Sequence, residues 1–126
     1  AVHAGWRGLL NGILPVAVAA LGGNPEQLMA WLGPAIGPAA FEVGADVREP
    51  FVARDPRAVA HFVPNARGRW QADLHGLARD SLGRAGVRAV YGDGICTFAD
   101  EQRFFSHRRE APCGRMATLI WLEPVL

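Results

Sequence analysis

Lysine is absent from this 126-residue sequence, and all 13 of its basic residues are arginine. Each cation is therefore a planar, permanently charged guanidinium, a shape that suits carboxylate and phosphate groups. Only two cysteines are present, which is too few for a disulfide scaffold. No uninterrupted apolar run approaches the ~18 residues of a membrane span. The formal net charge of +1 gives no general reason to expect nucleic acid, so we expect neither a nucleic-acid nor a membrane partner.

The composition that remains is that of a folded domain. Half of the residues are hydrophobic and a fifth are charged, which argues against a disordered chain. A chain of this length suits one domain and can bury about two thirds of its surface. It starts at Ala1-Val2-His3 without Met or a leader, as if an apolar strand ran directly into a glycine-flanked loop. We therefore expect a fragment of a longer, cytoplasmic protein whose preceding residues are missing.

Local patterns predict helices and short strands separated by turns. The apolar residues of Leu9–Leu21 predict a helix, in which Pro15 either produces a kink or lies in the first turns. Asp73 is the expected N-cap of a helix that runs to Ala85 and stops at Gly86. Shorter helices are predicted at Asp46–Ala53 and Pro56–Phe62, and strands at Ala1–Ala4, Leu28–Leu32, Ala39–Val43 and Val87–Tyr91.

A β-hairpin is predicted near the end of the chain, where Phe104–Arg109 and Arg115–Leu122 flank a turn at Ala111–Gly114. Irregular loops are predicted at Gly33–Pro38 and Val63–Gly68. The elements mix without strict β-α-β alternation. We therefore predict a single domain of α/β or α+β class, with mixed β-sheet layers, flanking helices and no internal repeat.

The first candidate site is the segment His3-Ala4-Gly5-Trp6-Arg7-Gly8. It places an imidazole and a guanidinium at the mouth of a loop, and its glycines allow a ligand to approach the backbone closely. Neutral imidazole is a common metal ligand, and arginine pairs with anions. The alternative is that His3 is simply hydrogen bonded and that Arg7 belongs to a surface ion pair.

The second candidate site is Phe104-Phe105-Ser106-His107-Arg108-Arg109. On a strand, Ser106 and Arg108 would share one face, and His107 and Arg109 the other. Together with Arg115 across the turn, these arginines would form either an anion site or a solvated edge that discourages strand pairing.

The other polar patterns mark no site. Cys96 and Cys113 do not form a CxxC pair; a disulfide stays open, but free thiols are expected in a protein without an export signal. His61 and His75 are expected at the surface or as caps rather than as ligands. The Gly33–Pro38 loop lacks the Lys and Ser/Thr of a phosphate-binding P-loop, so that motif is rejected. The four tryptophans, Trp6, Trp31, Trp70 and Trp121, are expected mostly in the core.

Several segments, taken together, resemble one family. Ala1–Gly8, Trp31–Pro38, Phe41–Gly44, Asp73-Leu74, Cys96-Thr97, Phe104–Arg109 and Gly114–Ala117 are similar to motifs of the YfiH family, in the family's order. This family has been called the laccase-domain or polyphenol oxidase family. It is described as purine nucleoside phosphorylases with accessory adenosine deaminase activity, and some members as peptidoglycan editing factors. His107 departs from the family, which more often has Tyr there.

The resemblance implies that residues 1–126 are the C-terminal half of one YfiH-like α/β domain, about twice as long, whose fold is incomplete here. It implies a metal, usually zinc and possibly copper, held by His, Cys and His. His3 matches the last of these ligands, and the other two belong upstream of Ala1. The implied substrates are a purine nucleoside and phosphate. His3 and Arg7 are the expected catalytic residues, and phosphate or substrate is expected to bind Arg7, Ser106, Arg108 and Arg109.

The residues and the resemblance together leave four alternative functions. The first is zinc-dependent phosphorolysis of adenosine or inosine, with adenosine deaminase activity. The second is peptidoglycan editing on UDP-linked muropeptides, which also needs arginines near phosphates. The third is copper-dependent polyphenol oxidation, which is disfavoured because multicopper oxidases need many, typically paired, histidines and the four here are isolated. The fourth is a non-catalytic fragment that self-associates through an exposed edge, for instance as a homodimer.

Overall fold

The computed structural model describes residues 1–92 and 94–124. Helices pack beside short strands, which confirms the predicted mixed α/β class. The α-helices are α1 (Trp6–Leu10), α2 (Ile13–Leu21), α3 (Ala45–Arg54) and α4 (Leu74–Arg84). The strands are β1 (Met29–Trp31), β2 (Glu42–Val43), β3 (Phe62–Pro64), β4 (Trp70–Ala72) and β5 (Ala89–Tyr91), and 3₁₀ helices span Pro25–Gln27 and Pro56–His61.

The strands form two small sheets of different direction. β1 and β5 pair in parallel, with Met29 opposite Ala89 and Trp31 opposite Tyr91. β2, β4 and β3 form an antiparallel sheet in that order. An isolated parallel bridge joins Ala35 to Cys96. Parallel and antiparallel pairing thus both occur in the described chain, each in a sheet of its own.

The helix predicted over Leu9–Leu21 is two helices, and the first begins earlier than predicted, at Trp6 in the segment expected to be a loop. Gly12 lies between them with φ +81°, a left-handed conformation that glycine adopts without steric cost. Pro15 falls in the first turn of α2, where a backbone N–H has no partner within the helix. The placement of Pro15 in the first turns is therefore confirmed, and the kinked-helix alternative is wrong.

Capping fixes the start of α4 as predicted. The Asp73 carboxylate accepts a hydrogen bond of 3.0 Å from the Gly76 N–H. At the other end Gly86, with φ +92°, leads the chain out of the helix. The amphipathic face of α4 buries Leu77, Ala78 and Leu82. The N-cap and the stripe of apolar residues therefore indicate the same position for this helix.

Asp73→Ala is expected to lower the free energy of unfolding by about 1 kcal/mol, because the first turn of α4 loses its side-chain acceptor. Urea denaturation followed by circular dichroism measures this loss. Asp73→Asn keeps an acceptor oxygen and should lose much less. If Asn and Ala destabilise equally, the cap contributes little to the fold.

The hydrophobic core lies between the helices and the antiparallel sheet. Phe51 of α3 and Phe62 of β3 face each other with ring centroids 5.9 Å apart. The other buried apolar side chains come from α1, α2, α3, α4, the strands and nearby loops: Leu9, Leu14, Val18, Phe41, Val43, Val47, Ala58, Ala72, Leu77, Ala78, Leu82 and Val87. This core holds in place the helices and loops that carry both candidate sites.

Three predictions of local structure are wrong. The hairpin of Phe104–Arg109 and Arg115–Leu122 does not form, because residues 101–103 and 107–109 are turns and 113–124 contain no strand. Arg109 and Glu110 donate their N–H groups to the Ser106 carbonyl, which closes a turn in place of a strand ladder. The strand at Ala1–Ala4 is also absent. The loop predicted from Val63 instead includes part of β3 and the turn to β4, which the Asn65 side chain stabilises by accepting from Arg67 and Arg69 N–H groups.

The expected burial of the tryptophans is also corrected. Trp31 is 57 % exposed and Trp121 is 71 % exposed, whereas Trp6 and Trp70 are partly buried against the core. β1 and its partner β5 form a sheet of only two strands, so Trp31 lacks a covering layer within the described chain. No helix in residues 1–92 or 94–124 is long and apolar enough to cross a bilayer.

Candidate functional site

His3 lies in the irregular segment just before α1 and is exposed. Its imidazole lies against Gly5, where a Cβ would come within 3.3 Å of the His3 Nε2 atom. The missing side chain at Gly5 therefore leaves room for the ring. A Cβ built at Gly8 would lie 3.6 Å from the His3 carbonyl oxygen, which is an ordinary contact distance. Of the two glycines predicted to admit close approach, Gly5 thus makes room for His3 itself.

Arg7 lies in the first turn of α1 and is exposed. Its guanidinium carbon lies 4.4 Å from the centroid of the Trp6 ring, a cation–π distance. Within the described residues Arg7 forms no ion pair, which removes the surface ion pair considered from the sequence. Its planar donors are therefore available to an anion, and Trp6 holds the guanidinium on one side.

Ser106, Arg108 and Arg109 belong to a second group, in the turns after Cys96. In the part of the chain that the structure describes, no hydrogen bond or ion pair joins them to His3 or Arg7. Instead Arg108 contacts the start of β2, and Arg109 bonds to carbonyls of its own segment. The two candidate segments are thus each ordered by their own contacts, and these contacts do not join them into one hydrogen-bonded site.

Arg108 makes two contacts at the start of β2, one with Phe41 and one with Glu42. One guanidinium N–H donates to the Glu42 carbonyl at 3.0 Å, and the guanidinium carbon lies 5.3 Å from the Phe41 ring centroid. The side chain is exposed, and only its Nη1 donates to the protein among the described residues. Arg108 therefore keeps donors that an external anion can accept from.

Arg109 uses its guanidinium within the protein. Its Nη1 donates to the carbonyls of Thr97 and Phe98 at 2.8 and 2.9 Å, and its Nη2 donates to the Phe104 carbonyl at 2.7 Å. These bonds tie together both ends of the turns between residues 97 and 109. The contacts favour a positioning role for Arg109, while phosphate binding by this residue stays a prediction.

Ser106 is buried, with 6 % of its surface exposed. Its carbonyl accepts from the N–H groups of Arg109 and Glu110 at 3.1 and 2.9 Å. Its hydroxyl has no hydrogen-bond partner among the described residues. Ser106 thus lies below the surface beside Arg108, and its predicted contact with substrate stays a prediction.

Cys96 is a feature whose chemistry the sequence does not reveal. Its thiol accepts a 3.1 Å hydrogen bond from the Gly37 N–H, across the bridge that joins Ala35 to Cys96. Burial by itself raises the pKa of this thiol, but the backbone N–H groups of Gly37, Ala99 and Phe98 favour the thiolate and hold the pKa below its usual value. Cys96 and Cys113 are both free thiols, so the disulfide alternative is wrong in this structure.

We expect Cys96 to be alkylated by iodoacetamide with a pH midpoint below that of N-acetylcysteine in the same buffer, because a lowered pKa leaves more thiolate at each pH. Mass spectrometry of the Cys113→Ser variant isolates the rate at Cys96. In that background, Gly37→Ala is the diagnostic change, since a Cβ there would lie 3.2 Å from the Cys96 Cβ and disturb the N–H donor. It should raise the midpoint; an unchanged midpoint contradicts the role of the Gly37 amide.

The donors of the described chain do not complete a metal site. No group of three or more His, Cys, Asp or Glu residues in the described ranges lies close enough to hold a metal ion. Cys96 accepts hydrogen bonds from backbone amides, and Cys113 lies beside Arg115. His61 bonds to Asp80 and His75 to the Gly33 carbonyl, as expected for structural histidines. His3 is therefore a single donor, and a metal bound to it would need further ligands from another segment.

Comparison with known proteins gives one family. A family model described as "Multi-copper polyphenol oxidoreductase laccase" matches residues 1–123. The chain is 54 % identical over 124 residues to a purine nucleoside phosphorylase of Pseudomonas aeruginosa, covering 98 % of this chain and 51 % of that protein. It is 49 % identical over 122 residues to purine nucleoside phosphorylase YfiH of Escherichia coli K12, covering 97 % and 50 %.

The solved structures agree with this match. A crystal structure of a Neisseria meningitidis protein superposes with a TM-score of 0.83 at 47 % identity, covering 86 % of this chain and 45 % of that one. The chain spans about half the length of the curated relatives it matches. The match over nearly all of the chain and the shared fold lead to one conclusion: the chain belongs to the laccase-domain family that includes the YfiH purine nucleoside phosphorylases.

Proposed function

We propose that this chain contributes the arginine-bearing part of a site that cleaves purine nucleosides with phosphate. The observation that carries the proposal is Arg7, an exposed guanidinium that stacks on Trp6 and has no carboxylate partner within the described residues. The relatives named purine nucleoside phosphorylase support the reaction class. A reaction with phosphate as co-substrate needs a fixed cation of this kind, which a surface ion pair would neutralise.

In phosphorolysis, an oxygen of phosphate forms a bond to C1′ of the ribose while the bond from C1′ to the purine nitrogen breaks. The bonding electrons leave with the purine, which then takes up a proton. Arg7 would hold the phosphate through parallel N–H donors, which arginine offers in a fixed fork. Arg108 is the second proposed phosphate contact, because it keeps free donors, and the buried Ser106 and Arg109 would support it.

His3 is proposed as one ligand of a zinc ion, or of copper, whose remaining ligands come from outside this chain. Such a zinc, with an open coordination position, would supply an activated water for deamination of adenosine. None of the phosphorolysis steps passes through the metal. Adenosine deaminase activity, zinc binding, a cytoplasmic location and a homodimer all stay predictions.

The test incubates the longest natural polypeptide that contains this sequence with inosine or adenosine, with and without phosphate. Chromatography of the products should show a free base and ribose 1-phosphate only when phosphate is present. A release of amino acid from a UDP-linked muropeptide without nucleoside cleavage would favour peptidoglycan editing instead. Oxidation of a phenol alone would favour the copper reaction, and no turnover of any substrate would favour a non-catalytic role.

A further inference from the structure

A cleft of about 350 Å³ opens between the helices, apart from both candidate sites. Its walls are α1 and the start of α2 on one side, and α3, the second 3₁₀ helix and α4 on the other. None of its lining residues is His3, Arg7, Ser106, Arg108 or Arg109. The volume lies within the usual range for small-molecule sites. The cleft is therefore a separate candidate for ligand binding.

The floor of the cleft is apolar but contains one polar group. Leu9, Phe51, Ala58 and Leu77 line it and are each buried. Ser81 also lines it and is 7 % exposed, yet its hydroxyl has no hydrogen-bond partner within residues 1–92 and 94–124. The Ser81 hydroxyl is therefore a polar atom on an apolar floor, and it can donate to or accept from an atom of a ligand in the cleft.

The rim of the cleft has an excess of positive charge. Asp55 accepts from Arg57 at 3.0 Å and from Arg84 at 2.7 Å. The Arg57 side-chain hydrogen bond holds the pKa of Asp55 below its usual value, so this carboxylate stays charged. The second rim carboxylate, Asp80, bonds to His61 at 2.8 Å.

Arg54 supplies the unmatched charge. It lines the cleft and donates to the Leu10 carbonyl, and it forms no ion pair among the described residues. Gly12 lies next to it, since a Cβ built there would be in ordinary contact with an Arg54 guanidinium nitrogen, at 3.5 Å. Three guanidinium groups and two carboxylates leave one positive charge at the rim. A single negative charge balances it, whereas a phosphate dianion would face uncompensated repulsion from Asp55 and Asp80.

We propose that this cleft binds a small organic monoanion with an apolar body, specifically an aliphatic or aromatic carboxylate. The carboxylate pairs with Arg54, the apolar body covers Leu9, Phe51 and Leu77, and the Ser81 hydroxyl bonds to a polar atom of the ligand. The site is independent of the proposed phosphorylase function, because it shares no residue with that site. Leu9 and Leu10 belong to the same helix as Arg7, so an occupant would contact the element that carries it.

The test is a two-dimensional NMR titration of the longest natural polypeptide that contains this sequence, isotope-labelled, with three probes. Benzoate has both the charge and the apolar body, benzyl alcohol has only the body, and acetate has essentially only the charge. Benzoate should produce saturable shifts clustered at Leu9, Gly12, Ala58, Leu77 and Ser81. Each control probe should bind about tenfold more weakly, because it lacks either the charge-assisted bond or the buried apolar area.

Two matched variants locate the charge. Arg54→Gln should weaken benzoate binding about tenfold and leave benzyl alcohol unchanged. Arg88→Gln removes the same charge at an exposed position outside the cleft and should alter neither. Shifts that are scattered or unsaturable, equal responses to the three probes, or equal losses in both variants would each overturn the proposal. If Arg54→Gln fails to fold, the comparison of the three probes on the unchanged chain decides the outcome.

Discussion

Replacing Arg7 by Ala is expected to lower kcat/KM for phosphate-dependent nucleoside cleavage by about 10²–10³-fold, the usual loss when one preorganised donor to a reacting anion is removed. The expected loss is large because Arg7 is the candidate cation whose donors are not shared with any carboxylate or carbonyl in the described chain. Its guanidinium is held by the stack on Trp6. The variant should therefore fold normally and show a raised KM for phosphate.

Two further variants show whether the loss of activity comes from the planar shape of the Arg7 guanidinium, from its charge, or from the removal of any surface charge. Arg7→Lys keeps the charge but loses the planar fork, so it should recover only part of the activity. Arg88→Ala removes an exposed arginine whose ion pair with Glu26 spans 3.7 Å, and it should leave the kinetics unchanged. If Arg7→Ala retains both its activity and its dependence on phosphate, Arg7 does not bind the phosphate.

Phe51→Ala is expected to lower the free energy of unfolding by about 3–5 kcal/mol, as the removal of a buried aromatic ring usually does. Phe51 is 7 % exposed and packs on Phe62 with the ring centroids 5.9 Å apart, so its removal leaves a cavity between α3 and β3. Domains of this size are stable by only about 5–15 kcal/mol, so this one change removes a large share of the total. Urea denaturation followed by tryptophan fluorescence measures it.

Val63→Ala is the matched control for that experiment. Val63 follows Phe62 directly in β3 but points away from the core, with 62 % of its surface exposed. Its loss should change the unfolding free energy by less than about 0.5 kcal/mol. Equal destabilisation by the two variants would show that the Phe51–Phe62 contact contributes little to the stability of the core.

Local signals are sufficient to predict α4, because its N-cap and its stripe of apolar residues both lie within a few turns of the chain. Asp73 and Gly86 delimit α4, and Asn24 with Pro25 begins a 3₁₀ helix as such a pair should. The break at Gly12 is not predicted, because the residues on both sides are apolar and only the left-handed backbone at Gly12 separates the two helices.

Pairing between distant segments lies beyond what local patterns predict. β1 pairs with β5, which places Met29 opposite Ala89, and the Ala35–Cys96 bridge likewise joins residues far apart in sequence. The hairpin expected at Phe104–Arg109 does not form for a related reason. Its arginines bond to carbonyls of distant or neighbouring loops, and these contacts replace the strand ladder that the alternating residues suggest.

The features of the candidate site also differ in whether the sequence alone predicts them. The exposed Arg7 stacked on Trp6 involves adjacent residues, which the sequence already places side by side. The amides that surround the Cys96 thiol come from segments on both sides of the bridge, so composition and spacing do not reveal them. The His3 segment by itself marks a possible metal ligand, and the resemblance implies that His3 is one of three; the described residues add no second donor to it.

The most direct test of the phosphorylase proposal traces the oxygen atoms of phosphate into the products. The longest natural polypeptide carrying this sequence is incubated with inosine and ¹⁸O-labelled phosphate, and the products are read by ³¹P NMR. Attack of phosphate on C1′ predicts ribose 1-phosphate that retains all of its labelled oxygens, and the Arg7→Ala variant should form it far more slowly. Free ribose without label, or release of the base at the same rate without phosphate, would contradict the proposed reaction.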